Sequence, residues 1–122
     1  MTPKSAFFQY SAMNHLTRSE EYILLAIWKL QGEAYTLPIQ ARLQEITGRS
    51  WSLSSVYAPL DRLVKQNLIY SELSDPVPER GGRPKRIYTL TPGGRRALLE
   101  INAVGQSMWA GVSVVALERG KP

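Results

Sequence analysis

The positive side chains of this 122-residue chain are concentrated in one short stretch that also carries turn-forming residues. Six of its fifteen Lys and Arg residues, and no Asp or Glu, fall between residues 80 and 96, so this stretch accounts for the net charge of +5. A compact basic cluster attracts polyanions, and nucleic acid and an anionic membrane surface are the two candidates. A solvated charged loop is the alternative without a binding role. The cations are Arg80, Arg83, Lys85, Arg86, Arg95 and Arg96.

The composition argues against most kinds of catalytic and metal sites. The chain has no cysteine, so thiolate ligands and cysteine nucleophiles are excluded. Its single histidine, His15, leaves most catalytic triads without their base. Its glycine-containing segments GGRP and TPGG match neither a Walker loop nor a dinucleotide fingerprint. We therefore expect a protein that is not an enzyme and that uses no metal and no cofactor.

The apolar pattern predicts a cytoplasmic protein of one domain. The first 15 residues lack the apolar core and cleavage site of a signal peptide. The longest apolar run, Tyr22 to Trp28, is far shorter than the ~20 residues that a membrane span needs. The chain length suits a single core.

Three helices are predicted before the basic stretch. Thr17 and Glu20 have capping-box spacing ahead of an apolar stripe, and Trp28 at the end of that stripe is assigned to the core or to its edge. Gly48 follows a second stripe where a left-handed C-cap glycine is expected. Ser52 is a good N-cap for a third helix, in which Pro59 predicts a kink.

The third predicted helix has a face that another molecule could approach closely. Small residues and one arginine lie opposite its apolar stripe: Ser54, Ser55, Ala58 and Arg62. Arg62 could instead pair with an acid of its own fold. Tyr57 could offer its hydroxyl to a phosphate, or it could be a half-buried core ring with its hydroxyl at the surface.

Two short alternating segments predict a β-hairpin around the basic stretch. They are Leu68–Leu73 and Arg86–Leu90, and the turn residues between them predict a projecting loop. Arg80 and Arg83 fall in that loop, and Lys85 and Arg86 fall at the start of the return strand.

One further helix is predicted after the hairpin. Thr91 and Pro92 form a strong helix start, and the helix is expected over residues 92–118, with a frayed tail at 119–122. Apolar residues recur at alternating spacings of three and four, which predicts a seam for a second copy of the chain. Packing on the chain's own core is the alternative. The seam residues are Leu98, Ile101, Gly105, Met108, Val112 and Val115.

The order of these elements is that of a winged helix-turn-helix, a mainly α (α+β) fold with three helices, a two-stranded β wing and a C-terminal dimerisation helix. Residues 16–91 would form the DNA-binding domain after an N-terminal arm, residues 1–15. Cations of the wing would neutralise phosphates of double-stranded DNA. Hydroxyls, a guanidinium and an alanine methyl on the third helix could reach base edges in the major groove.

Two segments, SLSSVYAPLDRLVKQNLI and ERGGRPKRIYTLTPGGRRALLE, resemble the PadR family of bacterial and archaeal transcriptional regulators. Val56-Tyr57 and the Leu60 to Leu63 run match the family's third helix, and Gly81 to Arg86, Tyr88 and Leu90-Thr91 match its wing. The chain departs from the family at Asn67, where a glycine is usual, and at Ala58, which separates Tyr57 from Pro59. The resemblance covers roughly residues 20–100.

The resemblance implies a homodimer on a palindromic or near-palindromic operator. Most members of the family are repressors, and some release DNA when a flat aromatic ligand binds between the dimer helices. Trp109 lies on the predicted dimer helix and could line such a pocket, or it could pack in the interface.

A winged-helix module that binds a protein and no DNA is the main alternative function. Binding to DNA should weaken steeply with salt, whereas protein docking should not. A membrane-surface role fits less well, because the basic cluster lies on a loop and not on an amphipathic helix.

Overall fold

The computed structural model describes residues 16–74 and 84–121 and confirms the predicted mainly α winged-helix class. Residues 1–15 and 75–83, which include the predicted N-terminal arm, Arg80 and Arg83, lie outside the described residues. The elements, in chain order, are α1 (Arg18–Lys29), α2 (Thr36–Thr47), α3 (Leu53–Lys65), β1 (Ile69–Leu73), β2 (Arg86–Leu90), α4 (Pro92–Trp109) and α5 (Val114–Arg119).

Side-chain caps begin α1 and α3 at the predicted residues. Thr17 and Glu20 exchange both bonds of a capping box: the Glu20 backbone N–H donates to Thr17 Oγ1 at 3.1 Å, and the Thr17 N–H donates to Glu20 Oε1 at 2.8 Å. Ser52 Oγ accepts from the Ser55 N–H at 3.1 Å. Gly48 ends α2 with a φ of 68°, the left-handed conformation that glycine adopts without strain.

Helix α3 runs through Pro59 and ends at Lys65. Pro59 is buried together with Val56, Leu60 and Leu63, so the ring adds apolar surface to the core side of the helix. Asn67 follows with a φ of 61°, a left-handed conformation that asparagine adopts more readily than most residues other than glycine.

The two strands pair antiparallel, and β2 is also bonded to the connection between two helices. Leu73 lies opposite Arg86 and Ile69 opposite Leu90, which confirms the predicted hairpin. The Tyr88 N–H donates to the Ala34 carbonyl at 2.9 Å, so β2 is also attached to the segment between α1 and α2.

The core lies between the first three helices and the sheet. Its residues come from α1, α2, α3 and both strands, with Ala34 and Leu68 added from the connections and Ala97 from α4. Of the two positions expected for Trp28, the core and its edge, the structure has the second: its side chain is half exposed, because the buried face of α1 is formed by Ile23, Leu24 and Ile27.

Gly94 lets the start of α4 pack closely against the backbone of Leu68, between α3 and β1. A Cβ at this position would overlap the carbonyl oxygen of Leu68. The Leu68 carbonyl also accepts from the Thr91 N–H at 3.0 Å, and the Thr91 hydroxyl donates to the Asn67 carbonyl at 2.8 Å. The second glycine of TPGG is therefore required by this close packing.

The prediction of one helix over residues 92–118 is wrong, because the structure has two helices there. Helix α4 ends at Trp109, Gly111 has a φ of 80°, and Ser113 begins α5 by accepting from the Ala116 N–H. A left-handed residue interrupts the helical bond pattern, and a new N-cap restarts it. Helix α5 extends to Arg119, one residue into the predicted tail. No helix in the described ranges combines the length and the apolarity that crossing a bilayer requires.

Candidate nucleic-acid interface

The outer face of α3 is uncovered over its whole length. Ser54, Ser55 and Ala58 are exposed, as predicted. Ser52 Oγ lies 2.7 Å from Ser55 Oγ and 3.1 Å from Ser54 Oγ, so the three hydroxyls form a cluster at the start of the helix. Ser52 Oγ also accepts from the Ser55 N–H, so its capacity is filled, whereas the hydroxyls of Ser54 and Ser55 each keep capacity for a further hydrogen bond.

Tyr57 is exposed at the edge of α3, with 52% of its surface accessible. About half of the side chain is therefore buried, and the contact of its hydroxyl with a phosphate stays a prediction. Tyr88 of β2 lies near it. The pKa of the Tyr88 phenol is raised, mainly by burial. Arg86 opposes this rise, whereas Tyr57 and Asp61 add to it. The sheet and the outer edge of α3 are thus neighbours.

Arg62 pairs with an acid of its own fold. Its Nε donates to Glu20 Oε2 at 2.7 Å, and its side chain remains 49% exposed. Glu20 is buried, although the sequence indicated only its role as a capping residue. The nearby Asp61 and Lys65, both exposed, form a separate pair at 3.0 Å.

Lys85 and Arg86 are exposed at the base of the wing, and each is held by a neighbour. Lys85 Nζ lies 4.2 Å from the centroid of the Tyr35 ring, and the Lys85 backbone N–H donates to Ser74 Oγ at 2.9 Å. Arg86 Nη1 donates to Ser71 Oγ at 3.0 Å. The sequence did not identify Tyr35, because the ring meets Lys85 only through the tertiary structure.

The far part of α4 has no buried residue after Glu100. Leu98, Ile101 and Gly105 are partly buried, and Met108 is 73% exposed. These four share one face of α4, whereas Val112 lies in the turn after it and Val115 on α5, so the six seam residues do not form one continuous stripe. Further exposed apolar residues here are Leu99, Val104, Trp109, Val114 and Leu117.

A cavity of about 410 Å³ lies between α1 and α4. Trp28 lines it, whereas Trp109, the predicted effector-pocket residue, is exposed at the end of α4 and is not among its lining residues. Trp28 could have been recognised from its position outside the buried stripe of α1. The cavity is lined by Leu25, Trp28, Leu90, Arg95, Leu98, Leu99 and Asn102.

Comparison with known families agrees with this architecture. Residues 23–100 match the transcriptional regulator PadR-like family, a range that includes α3, both strands and the first half of α4. The chain belongs to the PadR-like family. Members of this family are DNA-binding transcriptional regulators. No curated protein matches the chain.

Solved structures, two of them of PadR-like regulators, have the same fold. The protein hsRosR of H. salinarum, in the structure of its complex hsRosR-S1, is 26% identical, with 89% of this chain and 88% of that one covered and a TM-score of 0.65. A PadR-like transcription factor from Bacteroides fragilis is 26% identical, with 76% of this chain and 84% of that one covered and a TM-score of 0.62. A PadR family regulator from Clostridium difficile is 25% identical, with 84% of this chain and 97% of that one covered and a TM-score of 0.57.

Proposed function

We propose that this PadR-like chain is a cytoplasmic repressor that binds, as a homodimer, a near-palindromic operator in double-stranded DNA. The observation that carries the proposal is the uncovered outer face of α3 beside the cationic base of the wing. A helix of this size enters the major groove, and cations at its flank neutralise the adjacent phosphates.

The two parts of this surface have different tasks. Ser54, Ser55 and Ala58 approach base edges, with the alanine suited to a thymine methyl. Tyr57 offers its hydroxyl to a phosphate at the groove edge. The wing cations Arg80, Arg83, Lys85 and Arg86 contact phosphates, and they supply affinity and not sequence preference.

The second copy docks on the C-terminal helices. An apolar helix face that its own domain does not cover needs a partner, and Met108 is the most exposed large apolar residue of α4. Leu98, Ile101 and Gly105 continue that face toward the domain, and the glycine allows close approach. Val112 and Val115 extend the interface onto the turn and α5.

A flat aromatic effector would enter the cavity beside Trp28. The indole offers a stacking surface, and Arg95 at the rim could pair with a negative group of the ligand. Because Leu98 belongs to both this cavity and the proposed interface, a bound ligand would alter the dimer geometry. Trp109 would then pack in the interface.

The experiment selects DNA from a random duplex library with the wild-type protein and measures binding by fluorescence anisotropy across a salt series. We expect one recurrent near-palindromic sequence, bound at least ~10³-fold more tightly than its scrambled version near physiological salt. Equal, weak binding to both duplexes would contradict the proposal and favour a protein-binding winged module.

A further inference from the structure

The bond between Glu20 and Arg62 joins the first turn of α1 to the outer face of α3. Glu20 is 1% exposed, and both carboxylate oxygens accept hydrogen bonds: Oε1 from the Thr17 N–H at 2.8 Å and Oε2 from Arg62 Nε at 2.7 Å. Burial of a carboxylate is costly unless such bonds compensate for it. The position of the Arg62 guanidinium is therefore set by Glu20.

Arg62 keeps donors for another partner. A guanidinium has five N–H groups, and within the described part of the chain one of them, on Nε, is bonded to Glu20. Arg62 follows Ser55 and Ala58 at helical spacing, so the three share the outer face of α3. Its half-exposed side chain presents the remaining N–H groups on the surface that the proposed function assigns to DNA.

Apolar packing turns the stripe of Val56, Leu60 and Leu63 on α3 toward the core. Because the hydrophobic effect is non-directional, this packing does not by itself fix the final few degrees of rotation or the position of a long side chain on the outer face. A hydrogen bond to a carboxylate is short and directional. We propose that Glu20 is a positioning residue for sequence recognition, which holds Arg62 and the rotation of α3 in the arrangement that contacts DNA. This inference rests on the proposed DNA-binding function.

The substitution Glu20→Gln separates positioning from simple charge. Loss of a negative charge by itself raises the affinity for any DNA. The amide of the Glu20→Gln variant would have one acceptor oxygen where the carboxylate has two, and its NH₂ group would face either the Arg62 donor or the Thr17 donor. One of the two hydrogen bonds is therefore lost. We expect affinity for the selected duplex to fall about tenfold. Affinity for the scrambled duplex should stay equal or rise, so the sequence preference falls.

Glu21→Gln is the matched control, because it makes the same charge change one residue away. Glu21 pairs with Arg18 within α1, at 3.7 Å from Glu21 Oε1 to Arg18 Nε. This variant should keep the wild-type preference. Arg62→Gln should lose preference as Glu20→Gln does, and the double variant should be no worse than either single, since both changes act on one interaction.

Thermal unfolding establishes that each variant is folded at the assay temperature. If Glu20→Gln is not folded, the pair Glu20→Met with Arg62→Met replaces the ion pair by apolar side chains, and we expect a folded protein without the preference. Wild-type preference in either Glu20 variant, or an equal change on both duplexes, would overturn the inference. If the wild-type protein itself binds both duplexes equally, the proposed function has failed instead.

Discussion

Lys85 Nζ lies over the ring of Tyr35, 4.2 Å from its centroid, so the base of the wing is held against the N-terminus of α2. Residues far apart in sequence thereby fix where a wing cation lies relative to α2. A cation over an aromatic face is stabilised by about 0.5–1 kcal/mol at an exposed site. The contact restricts a long side chain that would otherwise sample many rotamers.

Tyr35→Ala should weaken DNA binding even though it removes no charge. Without the ring, Lys85 loses its orientation, and we expect the affinity for specific and scrambled duplexes to fall about two- to fivefold alike. Tyr35→Phe keeps the aromatic face and should bind as the wild type does. Anisotropy titrations at one salt concentration measure both. An affinity unchanged in Tyr35→Ala would show that Lys85 does not need this support.

Gly94→Ala should destabilise the protein by about 1–3 kcal/mol, because the new methyl group would meet the Leu68 carbonyl oxygen. Gly93→Ala is the control in the same turn of α4, since a Cβ there meets only ordinary contacts, the nearest at 3.5 Å. Urea unfolding followed by circular dichroism measures the free energy of unfolding of both. Equal stability of the two variants would contradict the close approach at Gly94.

Glu100 should make stability depend on pH. Its side chain is 5% exposed, its Oε1 has no hydrogen-bond partner among the described residues, and burial raises the pKa of its carboxyl. A raised native pKa contributes stability that is present below the ordinary Glu pKa and is lost as pH rises through the native value.

Glu100→Gln should therefore be more stable than the wild type at pH 7, by about 1–3 kcal/mol. The difference should shrink as the pH falls toward the ordinary Glu range, near 4.3. Urea unfolding at several pH values measures it. A wild-type protein that is the more stable at pH 7 would show that the carboxylate is compensated by a partner.

Met108→Glu should break the homodimer, because it places a charge in the proposed apolar interface. Dissociation at micromolar protein concentration is expected, with at least ~10-fold weaker association. Gln106→Glu adds a charge to the same exposed stretch of α4 outside the seam and should remain dimeric. Sedimentation equilibrium gives the masses. A dimeric Met108→Glu variant would place the interface elsewhere.

Local chemistry was enough to predict most of the fold. The capping box at Thr17, the glycine end of α2 and the serine cap of α3 act over a few residues, and the sequence reveals them directly. The alternation in β2 predicted its limits, Arg86–Leu90, for the same reason. The exposed outer face of α3 also followed from its periodicity.

Errors arose where two signals competed over a longer range. The apolar seam favoured one long C-terminal helix, but the left-handed Gly111 and the capping by Ser113 divide it. The sequence left Trp28 between the core and its edge, because tryptophan is large and apolar, and its angle on α1 places it at the edge of the buried stripe.

The sequence by itself thus determined the elements, the basic wing and the family resemblance, because these depend on residue types at short spacings. Only the tertiary structure decided that Arg62 is bound to Glu20, that Lys85 Nζ lies over the Tyr35 ring, and that Trp28 lines a cavity. Each of these contacts joins residues from different elements. Their partners are chosen by how the helices pack, which no local pattern specifies.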